Sequence, residues 1–183
     1  MGFITDEQLQ HNKIQYAGID QESGKFESNG SLFPAISGKL MGFGDHVFDF
    51  KNQPIKKFDI FIKDGEALIQ INIGFYSWQT FKLMNSLLNI PNIKSKGEIM
   101  IKASKKDANY NIGLEFNGEW IKWKYSFDDL KFNGKEGDAK TAHRNKIIDK
   151  WFITLSELLP YTKDEPVPAE VPAGTVDDEE LLF

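Results

Sequence analysis

The segment Glu119–Tyr125 reads as a strand with two chemically different faces. Alternation puts Ile121, Trp123 and Tyr125 on one side and Trp120, Lys122 and Lys124 on the other. The first set suits a core. The second is an aromatic ring flanked by two cations, the combination that holds a single strand: bases stack on the ring and ammonium groups neutralise phosphates. The pattern recurs in Lys56–Lys63, where Lys57, Phe61 and Lys63 share the face opposite Phe58, Ile60 and Ile62. On a further strand Lys102 faces outward with Met100, close to Lys105 and Lys106. Each stacked base contributes roughly 1–3 kcal/mol, so two or three such rings suffice for useful affinity.

A plainer reading stands beside this one. Lysines also protect exposed strands from edge-to-edge association, and Trp120 or Phe61 could pack beneath a terminal helix. Either aromatic alone favours packing; the repeat on two strands balances the two readings. Trp78, at a helix start, reads as core, while Phe75 and Tyr76 fit either environment.

Catalytic arrangements find little support. His11, His46 and His143 are scattered without metal-ligand spacing. His46 follows Asp45 in what reads as a solvated loop, and Asp128–Asp129 reads as a turn. Gly42-Phe43-Gly44 lacks the third glycine and the following helix of a dinucleotide fingerprint. The expectation is a protein that is not an enzyme and uses no metal or cofactor.

These side chains must be positioned by a mostly β framework. Ile36–Phe43 reads as a strand, followed by a loop holding Gly44, Asp45, Asn52 and Pro54. Lys56–Lys63 and Ala67–Ile73 flank the turn Asp64–Gly65. Ser77–Asn89 is helical by the spacing of Trp78, Phe81, Met84, Leu87 and Leu88, capped by Ser77 and stopped by Pro91. Glu98–Ser104, Tyr110–Phe116 and Glu119–Tyr125 follow, the last two joined by the hairpin turn Asn117–Gly118. Lys131–Ala139 reads as a loop. Ala142–Leu159 is a second amphipathic helix with its stripe on Ile147, Ile148, Trp151, Leu155, Leu158 and Leu159. Residues 1–35 are weakly patterned, with short extended pieces at Lys13–Tyr16 and Lys25–Glu27. Three strands, a helix and two more strands is the order of an OB-fold, a small Greek-key barrel in which the helix plugs one end.

The chain of 183 residues has a net charge of -5, distributed unevenly. From Thr162 onward seven acids stand against Lys163, a net of -6, whereas residues 1–161 carry 21 Lys+Arg and 20 Asp+Glu, a net of +1. A low overall pI therefore does not exclude a polyanion ligand for the body. Pro166, Pro168, Pro172 and Gly174 mark residues 162–183 as a disordered linker and acidic tail. The tail ends in Asp177, Asp178, Glu179, Glu180, Leu181, Leu182 and Phe183. Acids and prolines fit a solubilising extension, but a terminal apolar tip fits a partner's hydrophobic pocket flanked by basic groups. With no cysteine and no run approaching the roughly 20 apolar residues of a membrane helix, a cytoplasmic protein is the simplest expectation.

An OB-like body over residues 1–161, aromatic–lysine strands and an acidic tail ending in Phe together resemble the single-stranded DNA-binding proteins of bacteria and their phages. The tail match is Asp177–Glu180 followed by Leu181, Leu182 and Phe183; Glu-Glu-Leu-Leu without a proline before Phe departs from the bacterial pattern. The single OB unit with a terminal helix looks closer to the phage form. The resemblance implies sequence-independent coating of single strands in replication, recombination or repair, with partner proteins recruited through the tail. Two other readings are a β-barrel adaptor that binds proteins through its tail, and a carbohydrate- or small-molecule-binding β domain.

Overall fold

The computed structural model describes residues 14–161. His11 and the tail Asp177–Phe183 lie outside the described residues. Nine strands form one sheet: β1 (Ile14–Ile19), β2 (Phe26–Ser28), β3 (Ser31–Phe33), β4 (Ala35–Phe50), β5 (Gln53–Asp64), β6 (Ala67–Gly74), β7 (Glu98–Lys106), β8 (Asn109–Phe116) and β9 (Glu119–Trp120). Two α-helices, α1 (Trp78–Leu87) and α2 (Gly137–Leu158), accompany the sheet among the described residues. Neither is long and apolar enough to cross a membrane.

Sheet order is β3-β2-β1-β6-β5-β4-β7-β8-β9, antiparallel except where β1 runs parallel to β6. The long β4 serves two neighbours, pairing through Lys39–Phe50 with β5 and through Ala35–Lys39 with β7. The expected closed barrel is not formed. Closure requires β6 to meet β8, but the free edge of β6 is taken by β1 and that of β8 by β9. The sheet therefore stays open, and the weakly patterned N-terminal region supplies three of its strands.

Alternation correctly places Phe58, Ile60 and Ile62 on the inner face. They are buried with Ile71, Ile73, Ile99, Ile101 and Leu114 of the neighbouring strands, with Phe81, Met84 and Leu87 of α1 and with Ile148, Trp151 and Leu155 of α2. Ser77 caps α1, its hydroxyl accepting the Thr80 amide at 3.1 Å. Asn117 and Gly118 both take positive φ, as a tight hairpin turn between right-twisted strands demands.

Two expectations need correction. Gly44 and Asp45 are not in a loop: β4 runs on to Phe50, turns at Lys51–Asn52 and pairs Asp49 with Pro54. The missing proline donor is tolerated because this arm lies beyond the end of β6. The strand expected over Glu119–Tyr125 ends at Trp120. Asn85, fully buried on α1, captures the chain beyond: its carbonyl oxygen accepts the amides of Lys124 and Tyr125, and its amide donates to the Tyr125 carbonyl. Those bonds replace the ladder and draw the segment off β8 toward the helix.

Candidate nucleic-acid interface

Departure from the ladder breaks the alternation on which Trp120, Lys122 and Lys124 were placed together. Trp120 stays on the outer face, 57% exposed, lying across Gly113, where an added Cβ would come within 2.2 Å of the indole. Lys122 and Lys124 are exposed. Trp123, expected inside, is instead 37% exposed and turns toward the N-terminal end of α1.

The other outward cations and rings are dispersed. Phe61 is buried, 8% exposed, because Tyr161 stacks on it; no base can reach that face of the ring. Lys102 pairs with Glu115 on the exposed face. Lys57 lies 5.6 Å from the Phe48 ring centroid on the β4–β5 arm, while Lys63 is half-buried. Lys105 donates to the Gln21 carbonyl at 2.8 Å and Lys106 is exposed.

His46 does not form a solvated pair with Asp45. It bonds across the sheet to Asp59, Nδ1 to Oδ2 at 2.6 Å, and Asn72 Nδ2 donates to the other oxygen at 2.6 Å. Asp59 is buried, so this network satisfies a carboxylate on the outer sheet face. His143 bonds the Leu130 carbonyl. No cluster of three or more metal-ligating side chains occurs among the described residues.

The concentrated combination of rings and cations lies elsewhere, in a groove of about 710 Å³ between α1, α2 and the β7–β8 hairpin. Trp78, Tyr110, Trp123 and Phe127 supply aromatic lining, and Lys82, Lys140 and Arg144 supply positive charge. Among the described residues no aspartate or glutamate lines it. A smaller recess of about 170 Å³ adjoins across Gln21, Ser77 and Gln79 and brings Lys57 to its edge.

Each wall is held for an identifiable reason. Trp78 opens α1 directly after its cap, with its ring edge-on to Phe81 at 5.3 Å and to Phe127 at 6.2 Å. Phe127 meets Trp123 at 5.6 Å with planes at 88°, so the two rings form perpendicular walls. Tyr110 is fixed by its hydroxyl, which donates to the Gln21 carbonyl at 2.7 Å. That contact also holds the β1–β2 turn, where Gly24 is required: a Cβ there would meet the Lys105 amide nitrogen at 2.7 Å.

Arg144 is the least expected member. It shares the buried stripe of α2 with Ile148, Trp151 and Leu155, at intervals of four, three and four residues. Its guanidinium carbon lies 4.9 Å from the Trp78 centroid, and the Lys140 ammonium lies 5.7 Å from the same ring. Burial lowers the Arg144 pKa from its usual value, although a guanidinium stays charged at any physiological pH. The sequence carried this signal: a cation falls on the helical period of the apolar stripe. The clustering with Trp78, Tyr110 and Phe127 carried none, since it joins four separate segments.

Against known proteins, no family model, no curated protein and no solved structure matches this chain.

Proposed function

We propose that this is a non-catalytic, sequence-independent single-stranded DNA-binding protein of replication, recombination or repair, and that the groove is where its body holds the strand. The observation that carries the reading is the lining itself: among the described residues it has four aromatic side chains and three cations, with no acid. Rings accept bases of any identity, and fixed positive charge attracts phosphates without reading sequence. The reading is supported by the strand order β6-β5-β4-β7-β8, with α1 between β6 and β7 in the chain, which is the order an OB unit would have if opened between its third and fifth strands. The tail Asp177–Phe183 has the composition of a partner-recruiting peptide.

Aromatic platforms also serve carbohydrates, but the lysines and arginine of this groove suit a phosphate better than a neutral sugar. The test is a tryptophan-fluorescence titration with an oligo-dT strand and with duplex DNA at low and moderate salt. The expected result is quenching by the single strand, weakened by salt and much smaller with duplex. Unchanged fluorescence together with no mobility shift at low salt would overturn the reading.

A further inference from the structure

We infer that the groove is a discrete seat for one nucleotide unit, phosphate and base together, and that it takes a free nucleoside monophosphate as well as a strand. This rests on the reading of the groove as a nucleic-acid site. Arg144 is only 9% exposed, yet its hydrogen bonds, 3.3 Å from Nε and 3.1 Å from a terminal nitrogen, both reach the neutral Asn145 Oδ1. A guanidinium has five donors, and burying its charge without a countercharge is costly. The groove it lines is where a countercharge fits. Phosphate is the anion whose oxygens match a planar guanidinium fork, and Lys140 and Lys82 border the same space.

The remaining lining is suited to a base. Trp123 and Phe127 stand at 88°, one ring able to stack on a flat heterocycle while the other meets its edge. Gln21, Gln79 and Asn109 also line the groove. Amides carry both donors and acceptors, so they accommodate the polar edge of either a purine or a pyrimidine. A volume of about 710 Å³ falls within the range of small-molecule sites, whereas a surface that only tracks a backbone spans several nucleotides. Phosphate, ring and amide edge in one cavity define a nucleotide.

The experiment uses the full chain with four probes: dTMP, dAMP, thymidine and inorganic phosphate, read by tryptophan fluorescence and by competition against a labelled dT oligonucleotide. Both monophosphates are expected to quench and to compete. Thymidine is expected to bind about tenfold more weakly, the loss of one charge-assisted contact set. Inorganic phosphate is expected to compete without quenching. In Arg144→Met, shown folded by circular dichroism, dTMP should lose its advantage over thymidine; if that variant does not fold, Lys140→Gln, on the exposed helix surface, should reduce the same ratio. Equal affinity for dTMP and thymidine in the unaltered protein overturns the inference. If the oligonucleotide binds and dTMP does not, the nucleotide seat fails and the strand reading survives. If dTMP binds and no strand does, the strand reading fails and the seat stands.

Discussion

Tyr161 lies flat on Phe61, their ring centroids 3.7 Å apart and their planes 10° from parallel. The stack is part of a short clasp: Phe43 donates to the Leu159 carbonyl at 3.0 Å, and Tyr161 donates to the Phe43 carbonyl at 3.2 Å. Gly42 makes the approach possible, since a Cβ there would come within 2.8 Å of the Tyr161 backbone. The chain leaving α2 is thus bridged in parallel to Phe43 of β4, and its Tyr161 ring lies over Phe61 of β5. The stack gives Phe61 a packing role in the fold. Phe61→Ala should cost about 3 kcal/mol in denaturant unfolding, and the folded variant should bind oligo-dT as the parent does. A selective loss of binding without loss of stability would restore Phe61 to the ligand surface.

The groove and the outer face make opposite claims on the tryptophans. Trp123→Ala and Phe127→Ala should each weaken oligo-dT binding by about 1–3 kcal/mol, or roughly 5- to 150-fold. Trp120→Ala, removing a ring that lies on Gly113 away from the groove, should change affinity less than about twofold. The reverse ranking in titrations at one salt concentration would move the site to the β8–β9 face.

How far the sequence revealed these features depended on whether a local period controlled them. Alternation in Lys56–Lys63 identified Phe58, Ile60 and Ile62 as core, because a ladder forces side chains to alternate. It failed at Phe61, where the covering ring comes from a residue one hundred positions later. It failed again at Trp123, because the buried Asn85 substitutes its own hydrogen bonds for those of β8. The pairing of β1 with β6 was equally hidden: a parallel partnership between distant strands leaves no turn signature. The groove joins the start of α1, the start of α2, the β8 hairpin and an irregular segment, so no window of sequence contains it.

The cations can be separated from the rings by salt. Lys140→Gln removes one exposed charge near Trp78. If Lys140 contacts a phosphate, the slope of log K against log salt should fall by about 0.7, the value for one single-strand contact. The weakening should be the same for dT and dA strands. An unchanged slope would show that Lys140 does not meet a phosphate.

Tyr76 links α2 to the start of α1, its hydroxyl donating to Asp149 Oδ1 at 2.9 Å. Partial burial, and then that bond to a carboxylate, raise the phenol above its usual pKa of 10.0. A raised pKa means that the native state retains a proton that the unfolded chain gives up first. The contribution is therefore complete below about pH 10 and is lost as pH rises through the native value. Tyr76→Phe should cost less than about 1 kcal/mol at neutral pH, since the bond is exposed. Its stability should also decline less than the parent's above about pH 10. Parallel alkaline declines in urea midpoints would show that the bond does not contribute.

Asn85 couples stability to the site more directly. Its side chain is fully buried and makes three bonds to the segment carrying Trp123 and Phe127: Nδ2 to the Tyr125 carbonyl at 2.8 Å, and the Lys124 and Tyr125 amides to Oδ1 at 3.1 and 2.9 Å. Asn85→Ala leaves backbone groups of that segment without their partner. Each buried orphan costs about 1–3 kcal/mol, and exposure of the segment to water recovers part of that. A net loss of about 2–3 kcal/mol is expected. Because the released segment carries two walls of the groove, oligo-dT affinity should fall in the same variant at temperatures where α1 and the sheet remain folded. Asn85→Asp keeps the acceptor for both amides but loses the donor, and should fall between parent and alanine in both measurements. If alanine lowered stability while leaving affinity intact, Trp123 and Phe127 would not need the seat that Asn85 provides, and the groove as built would not be what the strand selects.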